Sequence, residues 1–217
     1  MMRTIKDKGF LILSTLVCLL PIAIYLLMFD QLPEQMIQHW GPGNTPTWTM
    51  PREFAVWVLP LFLAVIHVLV VIFALNSESS KRAASAKMRS FFAWFTPILS
   101  VFINIAILLA NLDEIFNIGL VAFAFVGMTL IIIGNYLPTT RQNYFIGIRT
   151  PWTLKNVDVW TRTHRLGGKL CVLGGITLLL GAALPMSDNG LVVFVLAIVC
   201  VIAIIPTAYS YVIYKKT

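Results

Sequence analysis

The sequence predicts an all-α polytopic membrane protein, a bundle of six transmembrane helices with both termini in the cytoplasm. Three observations carry that prediction. Hydrophobic residues make up 59% of the 217-residue chain and charged residues 12%, about half the charged share of an ordinary soluble domain. The apolar residues come in runs close to the ~20 residues that cross a bilayer. The basic residues fall in every second interval between those runs, which places nearly all of them on one side. A soluble fold of this length cannot hide so much apolar surface, so the excess faces lipid.

The six spans lie at about 10–29, 54–75, 91–110, 117–137, 167–184 and 191–213. The first run follows a basic start, MMRTIKDKG, as a signal peptide would. Its apolar part exceeds the usual ~7–15 residues and no A-x-A-like cleavage site follows, so it reads as a retained anchor. Residues 30–53 are a loop rich in Pro, Gly, Gln and Trp, in which GPGN marks a turn. Residues 76–90 are short, Ser-rich and basic, whereas NLDEIFN and PMSDNG are tight connections. The longest polar stretch is 138–166. In the fifth span Gly167, Gly174 and Gly181 recur every seven residues, with Gly168 and Gly175 beside them. Such stripes allow close helix contact and point to internal packing. Cys18, Cys171 and Cys200 sit in apolar runs and read as reduced packing residues. No His/Cys cluster suggests a metal, and no cofactor is expected.

Charge sets the orientation. Arg3, Lys6 and Lys8 precede the first span, Lys81, Arg82, Lys87 and Arg89 follow the second, and Lys215 and Lys216 end the chain. Arg141, Arg149, Lys155, Arg162, Arg165 and Lys169 follow the fourth. Of the 16 Lys and Arg residues only Arg52 falls on the other side. The positive-inside rule makes the crowded side cytoplasmic. The net charge of +7 is therefore a cytoplasmic belt that fixes topology and meets anionic headgroups, not a nucleic-acid footprint. The expected organisation is a helix pair with an outer loop over 1–76 and a four-helix region over 77–217.

The cytoplasmic stretch GNYLPTTRQNYFIGIRTPWTLKNVDVWTRTHRLGGKL holds the densest mixture of polar and aromatic residues. Pro138 ends the fourth helix and Gly147 marks a turn or a close backbone approach. Thr150 is held extended before Pro151, and either Thr153 or Asn156 caps a new helix with Asp158 in its first turn. Along that helix Trp160, His164, Gly167 or Gly168, and Cys171 share one face. The helix is expected to follow the membrane surface and turn into the fifth span at Gly167-Gly168. Trp152 and Trp160 suit the headgroup level. Arg149, Arg162 and Arg165 offer guanidinium forks for carboxylate or phosphate. On physical grounds an interfacial helix held by lipid phosphates competes with an anion- or peptide-binding surface. Catalysis is not expected: His164 and Asp158 lie six residues apart, so one straight helix does not align them, and no nucleophile motif adjoins them.

The outer loop offers Glu34, His39, Trp40 and Trp48 as an external ligand surface, or as an aromatic belt with an ordinary surface histidine. Within the spans His67, Asn104 and Asn135 stand out as polar. No acidic partner matches His67 in depth, so it reads as a hydrogen-bonded bundle residue. Neither repeated halves nor broken helices suggest a transporter. An ion or small-molecule path through these residues, and an enzyme acting on a lipid headgroup, are the competing functions.

Two passages resemble a bacterial family. NYFIGIRTPWTLKNVDVWTRTHRLGGK looks like the signature of the SdpI family, immunity proteins against a sporulation-delaying peptide toxin. The pattern falls on Asn143, Gly147, Arg149, Thr150, Pro151, Trp152, Thr153, Leu154, Trp160, His164 and Arg165. LPEQMIQHWGPGNTPTW with VLPLF resembles the domain of unknown function 1648 that often precedes it. The resemblance implies a multi-pass protein of the bacterial cell membrane that protects against a secreted peptide toxin on the outer side. It also implies signalling, with a winged-helix transcriptional repressor captured on the cytoplasmic side. The signature residues would then be the signalling surface, and Glu34, His39, Trp40 and Trp48 part of the toxin-sensing side.

Overall fold

The computed structural model describes residues 5–75, 86–112, 116–144, 146–182, 184 and 188–216. Arg3, Lys81, Arg82 and most of the Ser-rich connection lie outside the described residues, as do parts of the two tight connections. Among the described residues the regular structure is helical apart from one β-hairpin, and the chain forms two compact units. Among the described residues the first unit draws on Met1–Ser77 and Lys87–Val121, and the second on Ala122–Thr217. The third long helix packs with the first pair.

In the first unit, helix α1 (Ile5–Leu27) leads through a short 3-10 turn to strands β1 (Gln35–Gly41) and β2 (Thr45–Pro51). Helix α2 (Arg52–Leu69) follows directly and ends in a π-helical turn, Val70–Leu75; helix α3 spans Ala86–Leu112. The loop expected over 30–53 is thus an antiparallel hairpin. GPGN forms its tip, where Gly43 and Asn44 take the left-handed backbone that a tight reversal requires (φ 75° and 56°). Met36, fully buried, carries the hairpin onto a core of Tyr25, Leu32, Val56, Ile107 and Leu108.

Polar ties join the three helices where water is excluded. Ser100 Oγ donates to the Cys18 carbonyl at 2.8 Å, and Tyr25 OH donates to the Asn104 carbonyl at 2.8 Å. His67 Nε2 lies 2.8 Å from Ser14 Oγ, linking α2 to α1. Each such bond is worth about 0.6 kcal/mol inside a bilayer, so several together hold α3 to α1. Asn111, at the end of α3, pairs with the exposed edge of β1 as another strand would. Its Oδ1 accepts from the Ile37 amide at 2.7 Å, and its Nδ2 donates to the Ile37 carbonyl at 2.9 Å.

The second unit contains most of helix α4 (Ile118–Tyr136), the short α5 (Pro151–Lys155), α6 (Val157–Gly181) and α7 (Asp188–Tyr214). The glycines of α6 face two ways. A Cβ on Gly168 would lie 2.6 Å from the Gly134 carbonyl, and one on Gly175 would lie 2.5 Å from the Gly127 carbonyl, so that stripe admits α4. Gly174 and Gly181 instead admit side chains of α7, Ile198 and Ile202 against the first and Phe194 against the second. Contrary to the expected bend at Gly167-Gly168, α6 runs unbroken through both, because each glycine is enclosed by neighbours and the helical hydrogen bonds continue.

Among the described residues five helices are long and apolar enough to cross a membrane: Lys8–Leu27, Arg52–Ile72, Ala93–Leu112, Ile118–Thr139 and Gly190–Tyr214. Phe54, Phe62, Val193 and Ile204 are each about 60% exposed along them, apolar surface that only lipid covers comfortably. The expected fifth span, in α6, is not among the five. Its apolar part, Gly167–Gly181, is interrupted by Lys169 and rises about 22 Å, less than the ~30 Å hydrocarbon core.

Substituting Gly134→Leu or Gly168→Leu is expected to force α4 and α6 apart, costing about 1–3 kcal/mol or more because backbone is what the new side chain meets. Thermal unfolding in detergent checks this; an unchanged midpoint for both variants would contradict the close packing.

Candidate binding surface

The polar stretch between α4 and α6 is built by local rules. Pro138 closes α4 into a 3-10 turn, Leu137–Thr139. Thr150 and Thr153 form a reciprocal cap on α5, with Pro151 at its first position. Of the two expected caps for the longer helix, Asn156 fulfils the role: its side chain accepts from the amides of Asp158 (2.8 Å) and Val159 (3.2 Å). Asp158 in that first turn pairs with Arg162 at 2.9 Å.

Trp160 and His164 hold the stretch together. Trp160 Nε1 donates to the Thr140 carbonyl at 2.9 Å, and its ring stacks on His164 with centroids 4.0 Å apart. His164 Nδ1 lies 2.8 Å from the Trp160 carbonyl, and the Ile148 amide donates to His164 Nε2 at 3.0 Å. A carbonyl only accepts and an amide only donates, so these partners select the neutral ring with its proton on Nδ1. Burial lowers the His164 pKa below its ordinary 6.5, and the hydrogen bond to the Trp160 carbonyl partly opposes this. Gly147 passes directly over this ring with φ 118°, and a Cβ there would collide with His164 Nε2. The close approach expected at Gly147 is therefore to a histidine inside the chain.

The sequence-predicted residues separate into an interior and a face. Asn143, Thr150, Thr153, Trp160 and His164 are buried. Asn143 Oδ1 accepts from the Ile146 amide at 2.7 Å, and Thr153 Oγ1 donates to the Ile148 carbonyl at 2.9 Å. These groups shape the loop and do not reach its outside. Arg149, Pro151 and Arg165 are exposed and Trp152 is half-buried. Arg149 donates to the Tyr144 carbonyl at 2.6 Å.

Trp152 reaches the last helix. Its indole N–H donates to Ser210 Oγ and its ring lies 5.1 Å from that of Tyr211. It also walls an apolar recess of about 450 Å³ with Ile204, Thr207 and Ala208. Sequence reasoning singles out neither Ser210 nor Thr140. Ser210 is visible there only as a lone hydroxyl in an apolar run, and its partner lies 58 residues earlier. Lys215 Nζ sits 4.7 Å over the same Tyr211 ring that Trp152 meets.

On the hairpin, His39 and Trp48 are register partners and both exposed; His39 Nδ1 lies 2.6 Å from Thr47 Oγ1. Trp40 is half-buried and packs against the core cluster. Glu34 is exposed at the hairpin base, where its carbonyl accepts from the Arg52 amide at 3.0 Å. No group of His, Cys, Asp and Glu able to hold a metal occurs among the described residues.

Long apolar helices, lipid-like exposure and a polar stretch tied across helix ends define an α-helical membrane protein. Residues 139–210 match the SdpI/YfhL protein family, and residues 16–64 match a domain of unknown function, DUF1648. The segment that resembles the SdpI/YfhL family contains the whole Trp160–His164 arrangement together with Ser210. It is 28% identical over 210 residues to the immunity protein SdpI of Bacillus subtilis, covering 94% of this chain and 96% of that protein. No solved structure matches the chain significantly.

Two outcomes check this site. The folded His164 binds its proton less readily than the unfolded residue, so its contribution to stability is complete above pH 6.5 and is lost as pH falls from there. Exchange of the Ile148 amide, normalised to its intrinsic rate, should accelerate over that range; a flat profile would contradict the assigned tautomer. Gly147→Ala should loosen the loop by about 1–3 kcal/mol through strain at positive φ and collision with the ring, measurable as faster proteolysis within 138–156.

Proposed function

We propose that this chain is a membrane immunity protein that protects its cell from a secreted peptide toxin and reports the toxin to the cytoplasm. The full-length likeness to an immunity protein carries the reading. In it α6 makes a sixth crossing, pulled inward by its glycine contacts despite its short apolar part. Both termini are then cytoplasmic, and the basic end of the second unit faces the cytoplasm with them. The hairpin lies outside and offers Glu34, His39 and Trp48 to the toxin, with Trp40 fastening it to the bundle. Asn143, Gly147, Thr150, Thr153, Trp160 and His164 shape the cytoplasmic face that Arg149, Pro151, Trp152 and Arg165 present. The partner of that face is a winged-helix repressor held at the membrane. Chemistry is not required of any of these residues. Of the three polar residues of a transport path, His67 and Asn104 are already engaged by Ser14, Tyr25 and Ser100 within the first unit, and Asn135 lies in the second unit.

Expression in a toxin-sensitive bacterium tests protection: survival against the sporulation-delaying peptide should rise, and equal killing with and without the chain would refute the immunity role. Arg149→Ala and Trp152→Ala should insert normally yet impair repressor capture, read by membrane co-purification. Undiminished capture by both would refute the assigned face. Reporter fusions at each terminus test the six-span topology.

A further inference from the structure

The second unit contains a groove of about 560 Å³ where α4 ends against α6. Gly134 and Gly168 form its floor, because their contact leaves no side chain to fill the space between the two helices. Its walls change character along α6. Arg165 and Lys169 stand one turn apart, both exposed, and neither has an ion-pair partner among the described residues. Val172 and Leu173 continue the same groove one turn further into the apolar part of the helix, and Leu173 is 59% exposed. Asn135 and Pro138 of the opposite wall complete it, and no acidic residue lines it.

We propose that this groove binds one anionic phospholipid. The two cations receive the headgroup phosphate, with Arg165 supplying a planar fork and Lys169 a point charge. The Asn135 amide adds a neutral donor at the rim. An acyl chain lies over Val172 and Leu173, about 5 Å deeper along the helix axis than Lys169. This order of charge then apolar wall is the order of a phospholipid read from headgroup to tail. A soluble phosphate would use only the upper half of the groove, and a protein segment would leave the lower wall in contact with bulk lipid. The binding does not depend on immunity or on the toxin, but it rests on the proposed crossing of α6 and shares Arg165 with the proposed repressor face.

The test is lipid retention by the purified full chain, read by native mass spectrometry after exposure to phosphatidylglycerol or phosphatidylcholine in detergent. The wild type should retain phosphatidylglycerol preferentially. The double variant Arg165→Gln/Lys169→Gln should lose about thirtyfold of that preference, the scale of removing two interfacial charges. Val172→Trp, which fills the apolar half and leaves both cations, should reduce retention as well. Arg141→Gln, which removes a cation outside the groove, should not. Equal retention of the two lipids by the wild type would overturn the proposal. So would an equal loss with Arg141→Gln, which would indicate diffuse attraction. Displacement of the lipid by millimolar inorganic phosphate would assign the cations to free phosphate, and it would also overturn the proposal. Thermal unfolding of each variant identifies misfolding, and a lost preference counts only in variants with the wild-type midpoint.

Discussion

A bilayer offers no water to a polar group, and most of this structure follows from that constraint. Helices satisfy their own backbones, and a hydroxyl, amide or imidazole carried into the apolar region bonds either to its own helix or to a neighbouring one. In the first unit Ser14, Ser100, Asn104 and Tyr25 are such groups, and their bonds decide which helices stand together. Asn111 applies the same logic at the hairpin, where it completes a strand edge that would otherwise present bare amide and carbonyl groups. Ser210 applies it in the second unit by accepting the Trp152 indole.

Glycine supplies the complementary device. Hydrophobic attraction between helices is weak in lipid, so close backbone approach and dispersion contacts carry more of the load. The two glycine stripes of α6 let α4 and α7 approach from different directions. Gly147 does the same for a loop: it brings a backbone amide onto the His164 ring, and the ring is held neutral by what it must accept. The histidine that looks most like chemistry is thereby a structural clasp, and the exposed arginines and Trp152 are what the clasp presents.

Several elements were legible in the residues. Apolar run length located five helices that can span a bilayer, GPGN located the hairpin tip, and Asn156 was one of two residues expected to cap the helix carrying Trp160 and His164. The shared face of Trp160, His164, Gly167 and Cys171 followed from helical periodicity, and all four are buried. The strands were not legible, because QMIQHWG has only a weak alternation and TPTWTMP carries two prolines, so both read equally as loop. The expected bend at Gly167-Gly168 failed because glycine breaks a helix only when nothing encloses it, and enclosure is a property of the neighbours.

The sequence by itself determined that this is a helical membrane protein, because composition and run length are local quantities that lipid reads directly. It also determined the local turns and caps, which depend on a few adjacent residues. Tertiary structure alone decided which signature residues are interior and which form a face, since Thr140 lies 20 residues from Trp160 and Ser210 lies 58 from Trp152. It likewise decided that the third helix joins the first unit and that α4 and α6 enclose a groove. Those outcomes depend on how closely two backbones approach, and that distance is set by pairs of residues far apart in the chain.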